Sequence, residues 1–346
     1  MIKKRKLPEE TNLNINDLKF YYGIPHCHTA LSTGRGTPIE ALEYGKKNGL
    51  DYMIITDHNG YLNEQIRDKD GSTLTKWKFL QKCLYKFNKK YDNFIALYGF
   101  ESHSYPWGDL NIINADTYFN GTITNLNHFL LWLLSNENTL VSINHPHKTI
   151  EKLNFNLYLD KFICSIELGN GSPPNKYSRY DKYYFSLLDK GWHLGAINSQ
   201  DNHRMNFGEN ENLTGIISTS LSKESIINAF KNRHCFSTES KTLKMFFTIN
   251  STFMGGNLTI YKNSNLDFYI YAEDSEKKIN KIEILTNGGT IVKNLNNINL
   301  NRIKYIFKKN TCFQETWYII KIYLEDKKNA ISSPIFISAS EEFLNS

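Results

Sequence analysis

Cysteine is scarce in this sequence, with 5 residues among 346. The five are odd in number, far apart and never spaced as C-x-x-C: Cys27, Cys83, Cys164, Cys235 and Cys312. This pattern argues against a disulfide framework, and it is typical of a protein from a reducing compartment.

Long apolar runs are also lacking. No run approaches the roughly 20 apolar residues that a membrane-spanning helix requires. Residues 1–18 include basic side chains but lack the apolar segment of a signal peptide. We therefore expect a cytoplasmic protein without a membrane partner.

A strong excess of charge is missing as well. The formal net charge of +6 suits a small anionic substrate but falls far short of that of a protein that coats nucleic acid. We expect a small-molecule substrate and no stable nucleic-acid partner, and the sequence leaves the oligomeric state open. Hydrophobic residues make up 40% of the chain, which is enough for a sizeable core.

Between residues 20 and 240 the sequence alternates strand-like apolar runs with amphipathic helical segments. One helix start is marked by the capping box Thr37-Pro38-Ile39-Glu40. Six or seven alternations of this kind predict a parallel sheet that is long enough to close into a β/α barrel.

The pattern changes after about residue 240. Short alternating runs, separated by turn sequences such as Asn287-Gly288-Gly289, replace the helical periodicity. About a hundred residues of this kind predict a small all-β sandwich. We thus predict an α/β protein in three parts: an arm (1–19), a barrel (20–240) and a β-sandwich domain (241–346).

Two histidines, His26 and His28, follow the strand-like run 21–24. Residues two apart on a strand point to the same side, so both imidazoles can reach one metal ion. Later strand-like runs end in similar groups: Asp57-His58, Glu101, Asn144-His145-Pro146-His147, Glu167 and Asp201-Asn202-His203. Barrel enzymes place their chemistry at such strand ends, and imidazole with carboxylate suits Zn, Mn or Fe.

This ordered set resembles the PHP (polymerase and histidinol phosphatase) family of metal-dependent phosphoesterases. The phrases ITDHN at 55–59 and NHP at 144–146 are typical of that family, and the set spans residues 20–240. The C-terminal phrases FSTES, INSTFMGG and SSPIFIS resemble the trailing β-domain of a subgroup that includes bacterial carbamate hydrolases.

The resemblance implies a distorted, seven-stranded, TIM-like barrel with up to three metal ions at its mouth. The first ion would take His26, His28, Glu101 and Asp201. The second would share Glu101 and take His145, and the third would take His58 and His203. A hydroxide that bridges two ions would attack phosphorus. We expect two firmly bound ions and a weaker third.

Two positions depart from the family pattern. The subgroup reads Gly-His-Leu-Asn where this chain has Gly108-Asp109-Leu110-Asn111, so we predict Asp109 as an oxygen ligand of the second ion. The acid of the first loop is replaced within Ser32-Thr33-Gly34, which weakens the third site because Thr33 is a poor ligand.

Several other residues near the motifs are candidates for contact with substrate. We predict Arg35, His103, His147 and Lys148 as substrate-binding residues, and Arg204 as catalytic together with Glu101, Asp201 and His203. Arginine and lysine can grip a phosphate, although each of these cations could equally be a solvated surface charge.

Three functions remain open at this point. The first is hydrolysis of a small phosphate ester. The second is hydrolysis of a carbamate, amide or ester on the same metal cluster, since a bridging hydroxide attacks a carbonyl as readily as phosphorus. The third is non-catalytic binding by a barrel with a relict site.

Overall fold

The computed structural model describes residues 17–68, 70–105, 107–261 and 264–340. Most of the predicted N-terminal arm, residues 1–16, lies outside the described residues. Among the described helices, none has the length and apolar character needed to cross a bilayer.

The first region is a mixed sheet flanked by helices. Its strands are β1 (Lys19–Ile24), β2 (Tyr52–Ile55), β3 (Gln65–Arg67), β4 (Thr73–Thr75), β5 (Ile95–Ser104), β6 (Gly108–Ile113), β7 (Leu140–Ile143), β8 (Ile163–Asn170), β9 (Ser178–Arg179), β10 (Gly195–Ser199), β11 (Leu213–Ser218) and β12 (Cys235–Thr238). The α-helices are α1 (Pro38–Lys47), α2 (Lys76–Lys90), α3 (Leu126–Leu134), α4 (Asp181–Asp189) and α5 (Lys223–Lys231).

Helix α1 begins where the sequence predicts it. The Thr37 hydroxyl accepts a hydrogen bond from the Glu40 backbone amide at 3.3 Å, and the Glu40 carboxylate accepts one from the Thr37 amide at 2.7 Å. Pro38 occupies the first turn, and the helix ends at Asn48, before Gly49 with φ +82°. The capping box that the sequence predicts is therefore present in the structure.

Seven strands of this region follow one another in the order β10-β8-β7-β6-β5-β2-β1. The neighbours β1–β2, β2–β5, β7–β8 and β8–β10 are parallel. The predicted parallel sheet is therefore confirmed only in part, because β6 is antiparallel to both β5 and β7. Three residues separate the end of β5 from the start of β6, too few for the crossover that a parallel pair needs.

The two ends of this seven-strand run come together. Just beyond β1 and β10, the His28 amide donates to the Asn202 carbonyl at 2.9 Å, and the Asp201 amide donates to the His26 carbonyl at 3.1 Å. Cys27 and Asn202 form a parallel bridge. The segments that carry predicted metal ligands therefore also join the first strand of the run to the last.

A buried cluster shows how strongly the run curves. It contains side chains from strands as far apart as β2 and β10, together with α5: Tyr52, Ile54, Leu97, Ile113, Leu140, Cys164, Ile197, Ile216, Ile226, Ala229, Phe230 and Cys235. In a flat sheet, strands five positions apart would lie roughly 24 Å apart and could not share a core. The alternate residues Met53 and Ile55 belong to the larger core on the other side of the strands.

The second region is all-β among the described residues. Its strands are β13 (Leu243–Ile249), β14 (Thr252–Phe253), β15 (Asn257–Ile260), β16 (Asn265–Asp274), β17 (Ile279–Thr286), β18 (Thr290–Leu295), β19 (Arg302–Asn310), β20 (Trp317–Leu324), β21 (Asn329–Ser332) and β22 (Ile335–Ala339). Strands β14-β13-β16-β19 form one sheet, and β20 pairs with β17, β21 and β22 in another. Phe268 and Tyr318 pack edge to face between the two sheets, with ring centroids 5.1 Å apart.

The two regions share a continuous sheet. Strand β11 pairs with β1 and β12, and β12 pairs with β21 of the second region through Phe236–Ser332, Ser237–Ile331 and Thr238–Ala330. The second region is thus hydrogen-bonded to the strands next to the predicted metal ligands.

Candidate metal centre

The predicted ligands gather at one edge of the seven-strand run. His26 and His28 follow β1, and His58 follows β2. Glu101 lies within β5, His145 follows β7, and Asp201 and His203 follow β10. Asp109 reaches the same edge from the start of β6, because that strand runs in the opposite direction.

His26 and His28 point to one place, as their spacing predicts. Their Nε2 atoms are 3.1 Å apart, and both side chains are fully buried. The Asp201 carboxylate approaches both: its Oδ1 atom lies 3.4 Å from Nε2 of His26 and 3.2 Å from Nε2 of His28. These three residues form one potential metal-binding group.

The Glu101 carboxylate lies at the middle of the cluster. Its Oε1 atom is 3.4 Å from Nε2 of His26 and 3.2 Å from Nε2 of His145. Its Oε2 atom is 3.4 Å from Nε2 of His28 and 3.1 Å from Nδ1 of His58. A carboxylate with two imidazoles at each oxygen is placed to bridge cations on its two sides.

Two further groups complete the centre. His26, Glu101 and His145 form the second, and His28, His58 and His203 form the third. The ring of His28 lies 4.4 Å from that of His58 and 4.3 Å from that of His203, measured between centroids. The structure thus adds His28 to the pair predicted for the third ion.

Two of these residues have strained backbones. His145 has φ +22° and Asp201 has φ +48°, in a region that residues other than glycine rarely adopt. Such conformations persist where the surrounding structure holds them, and they concentrate at functional sites. Asn202, next to Asp201, donates to Asn206 at 2.9 Å within a buried amide network.

The electrostatics of the cluster reflect this crowding of imidazole and carboxylate. Burial opposes the charge on His26, but Asp201, Glu101 and Glu167 together raise its pKa well above the usual value. Burial likewise opposes the charge on Glu101, and the adjacent histidines hold its pKa well below the usual range. The pKa of His145 is raised to about 9, since contact with Glu101 outweighs burial. A divalent cation would therefore compete with protons for His26 and His145.

The donor set fits divalent metal ions. Nδ1 of His28 and Oδ1 of Asp201 are buried without a hydrogen-bond partner among the described residues. The facing Nε2 atoms of His26 and His28 have carboxylate oxygens around them, which is the nitrogen and oxygen environment that Mn, Fe and Zn accept. Polar atoms buried without partners are costly unless something binds them.

Asp109 lies beside the second group. Its Oδ2 atom is 3.9 Å from Nε2 of His145, and its Oδ1 atom is 2.6 Å from Nδ1 of His103. His103 is largely exposed, and His147 lies near Gly108, with its ring 6.1 Å from that of His145. The substrate-binding residues predicted on this side therefore surround Asp109.

The predicted cationic residues lie on the surface around the centre. Arg35, Lys148 and Arg204 are all exposed. A Cβ atom on Gly36, which has φ +79°, would lie 2.2 Å from the Met205 sulfur, so the loops that carry Arg35 and Arg204 are packed against each other.

Three buried side chains support the predicted ligands, and the sequence analysis placed them at the ends of strand-like runs without assigning them this role. Asp57 accepts hydrogen bonds from the Thr29 amide and hydroxyl at 2.8 and 2.6 Å, which fixes the loop after His28. Asn144 donates to Oε1 of Glu101 at 2.9 Å. Glu167 contacts Nδ1 of His26 at 2.8 Å. Their only sequence signal is a place beside a ligand or at the end of a strand.

The fold and the site together define a two-region α/β protein with a candidate metal centre. No protein-family model matches the sequence, and the search of curated proteins finds no match. The structure is similar to that of a two-domain protein from Bacteroides vulgatus that contains a predicted PHP-like metal-dependent phosphoesterase. The likeness covers 93% of this chain and 96% of that one, with a TM-score of 0.52 and 14% sequence identity.

A second solved structure is more distant. It is a protein from Bifidobacterium adolescentis with a provisional assignment as a metal-dependent phosphoesterase, and the alignment covers 60% of this chain and 94% of that one. The TM-score is 0.37 and the identity 12%. The resemblance to PHP-like proteins is confirmed through the first neighbour, at the level of the two-region fold, whereas the carbamate-hydrolase subgroup stays a prediction.

Proposed function

We propose that this protein is a metal-dependent phosphoesterase that hydrolyses a small phosphate ester, with two firmly held divalent ions and a weaker third, drawn from Mn, Zn and Fe. The observation that carries the proposal is the Glu101 carboxylate, each oxygen of which faces two imidazoles. The proposal includes the reading of the curved seven-strand run as a distorted barrel and of the C-terminal sheets as a β-sandwich domain.

The ligand sets follow the three groups. His26, His28, Asp201 and Glu101 would hold the first ion, and Glu101 and His145 the second, with Asp109 close by. His58 and His203, with His28 beside them, would hold the third. Bound divalent ions supply an activated water and neutralise negative charge on phosphate oxygens.

The chain's own residues would bind and orient the ester. Arg35 and Arg204 extend from two loops that pack together, and Lys148 follows His147 on a third segment. Guanidinium groups offer paired donors that match phosphate oxygens, and an ammonium group adds a further positive charge. Arg204 directly follows the ligand His203, which suits it to stabilise charge on the reacting phosphate.

The test is activity after removal and return of metal. Protein treated with chelator should be inactive on p-nitrophenyl phosphate, bis-p-nitrophenyl phosphate and nucleotides, and Mn, Zn or Fe should restore turnover. The double variant His26→Ala, His28→Ala should fold and stay inactive, whereas His128→Ala, which changes an exposed histidine outside the cluster, should keep wild-type activity.

Two results would replace this proposal. Activity that survives in the His26, His28 double variant would rule out the metal mechanism. Turnover of aryl esters or carbamates alone, in the same panel with metal restored, would make the protein a hydrolase acting at carbon on the same cluster.

A further inference from the structure

Glu167 is a buried carboxylate at the centre of the polar network behind the metal ligands. It lies on β8 and is fully shielded from solvent. Its Oε1 atom contacts Nδ1 of His26 at 2.8 Å and accepts from the Ser199 hydroxyl at 2.5 Å. Its Oε2 atom accepts from the His145 backbone amide at 2.6 Å and from the Asn170 amide at 2.9 Å.

The contact with His26 determines which ring nitrogen faces the cluster. Because Glu167 accepts hydrogen bonds from its other neighbours, Nδ1 of His26 serves it best as a donor. The proton then resides on Nδ1, and the lone pair of Nε2 points at His28, Asp201 and Glu101. A carboxylate behind a metal-binding histidine fixes the ring and makes it a stronger ligand.

The other oxygen acts on a different ligand through the backbone. The His145 amide donates to Oε2 of Glu167, and His145 is the residue whose φ is +22°. A strained backbone persists only when its surroundings hold it in place. This hydrogen bond helps to keep the His145 backbone in its strained conformation. It thereby helps to keep the His145 ring beside Oε1 of Glu101.

We propose that Glu167 is a positioning residue that couples two metal sites, one oxygen orienting the His26 ring and the other anchoring the His145 backbone. Its acceptor positions are occupied by the protein, so it acts through His26 and His145 and not as a ligand itself. The inference rests on the metal centre proposed above but not on the nature of the substrate.

Glu167→Gln tests the role because one amide cannot replace the carboxylate. If its oxygen stays at His26, its NH₂ group faces the donors of His145 and Asn170. If the amide turns round, its NH₂ group faces Nδ1 of His26, which must then accept, and the ring proton moves to Nε2. Either orientation impairs one of the two ligands.

The experiment is a titration of metal-free protein with Co²⁺, whose visible absorption reports its ligands. We expect Glu167→Gln to bind Co²⁺ about 10–100-fold more weakly, with altered absorption bands. The matched control is Glu283→Gln, the same change at a buried carboxylate of β17 that contacts Tyr323. It should bind Co²⁺ like the wild type. Urea unfolding in chelator shows whether a variant retains its metal-free fold.

Three results would contradict the inference. Wild-type affinity and spectrum in Glu167→Gln would overturn it alone and leave the metal centre intact. Failure of the wild-type protein to bind Co²⁺ would overturn the proposed centre as well. If Glu167→Gln does not fold, Asn170→Ala tests the inference instead, because it removes one hydrogen-bond donor to Glu167 and leaves the carboxylate in place. Weaker Co²⁺ binding by Asn170→Ala would support the inference, and unchanged binding would refute it.

Discussion

At the residue scale, the ligands that the sequence identifies are those whose geometry is local. His26 and His28 are two residues apart in extended backbone, so their convergence at 3.1 Å follows from the strand repeat alone. The role of Glu167 could not be predicted in this way. It contacts His26 across 141 residues of chain, and that contact depends on the order in which the strands assemble.

The first prediction concerns Glu101, whose carboxylate contacts histidines of all three groups. Glu101→Gln should lower kcat/KM on a phosphate ester by at least about 100-fold, or about 2.7 kcal/mol in transition-state stabilisation. It should also reduce bound metal by at least one ion per chain, because a neutral amide bridges cations poorly. Steady-state kinetics and elemental analysis measure both effects.

The control for Glu101 is Glu64→Gln, which changes a carboxylate paired with Lys76 away from the cluster. It should leave kinetics and metal content unchanged. Full metal content in Glu101→Gln would show that this carboxylate does not bridge ions.

At the scale of elements, helix starts are predicted well because their signals are contained in four residues. The second prediction uses this at α1. Thr37→Ala removes the hydroxyl that caps the Glu40 amide and should lower the free energy of unfolding by about 1 kcal/mol. Urea unfolding measures the change, and Thr37→Ser should retain most of the stability. Equal stability of the alanine and serine variants would contradict the capping role.

Strand direction was the weaker part of the sequence prediction. Alternation of strands and helices favoured a parallel sheet, yet β5 and β6 form an antiparallel pair around a short turn. The sequence Trp107-Gly108-Asp109 indicates a turn. The short length of this connection, and not the alternation of strands and helices, determines the direction of β6. The antiparallel pairing also places Asp109 beside His145.

The segment between β10 and β11, residues 200–212, carries Asp201 and His203 and is held by the second region. Glu211 in this segment lies 2.6 Å from Nζ of Lys277 and also pairs with Lys328. The Asn212 side chain donates to the Gly171 carbonyl at 3.2 Å. The C-terminal region thus fixes one end of a segment that supplies two predicted ligands.

The third prediction tests this hold. Lys277→Met with Lys328→Met should weaken metal binding about 2- to 10-fold, less than the roughly 10- to 100-fold loss typical of direct hydrogen-bond partners of ligands. The free energy of unfolding without metal should change by only about 1 kcal/mol, because these pairs are partly exposed. Competition with a coloured chelator measures affinity. Unchanged metal affinity in the double variant would show that the C-terminal region does not support metal binding.

At the scale of the whole molecule, ion pairs join the two regions. Asp181, at the start of α4, accepts from Arg179 Nε at 3.0 Å and pairs with Lys321 of β20 at 2.8 Å. Burial disfavours the charge on Asp181, but Arg179 and Lys321 outweigh it and lower the pKa of this carboxyl. Its contribution to stability is therefore complete above the unfolded-state pKa, and it is lost as pH falls through the lower folded-state value.

The fourth prediction follows from that sign. Asp181→Asn should reduce the free energy of unfolding by about 2 kcal/mol at pH 7, because it leaves Lys321 without its carboxylate and Arg179 with Glu239 as its remaining acidic partner. The difference from wild type should begin to shrink as pH falls below about 4, where Asp181 of the unfolded wild-type chain takes up a proton, and should go on shrinking down to the lower folded-state pKa. Urea unfolding at several pH values measures it. A constant difference across that range would contradict the assigned pairing.

In the C-terminal region, the sequence predicted the long strands but not the short ones. The alternating sequences at 245–249, 266–271, 281–285, 303–307 and 318–324 correspond to the long strands β13, β16, β17, β19 and β20. The short strands β14, β15, β18, β21 and β22 were not predicted, because two to six residues give too little alternation to detect. Strand β12 was missed for the same reason, although it joins the regions.

The most direct test of the account is the number of metal ions per chain. The purified wild-type protein, stripped with chelator, reloaded with Mn, Fe or Zn and freed of excess ions, is measured by elemental analysis. We expect at least two ions per wild-type chain with the best metal, because seven ligands converge: His26, His28, His58, Glu101, His145, Asp201 and His203. We expect less than one ion per chain in the His26, His28 double variant. One ion or fewer per wild-type chain with every metal would contradict the account.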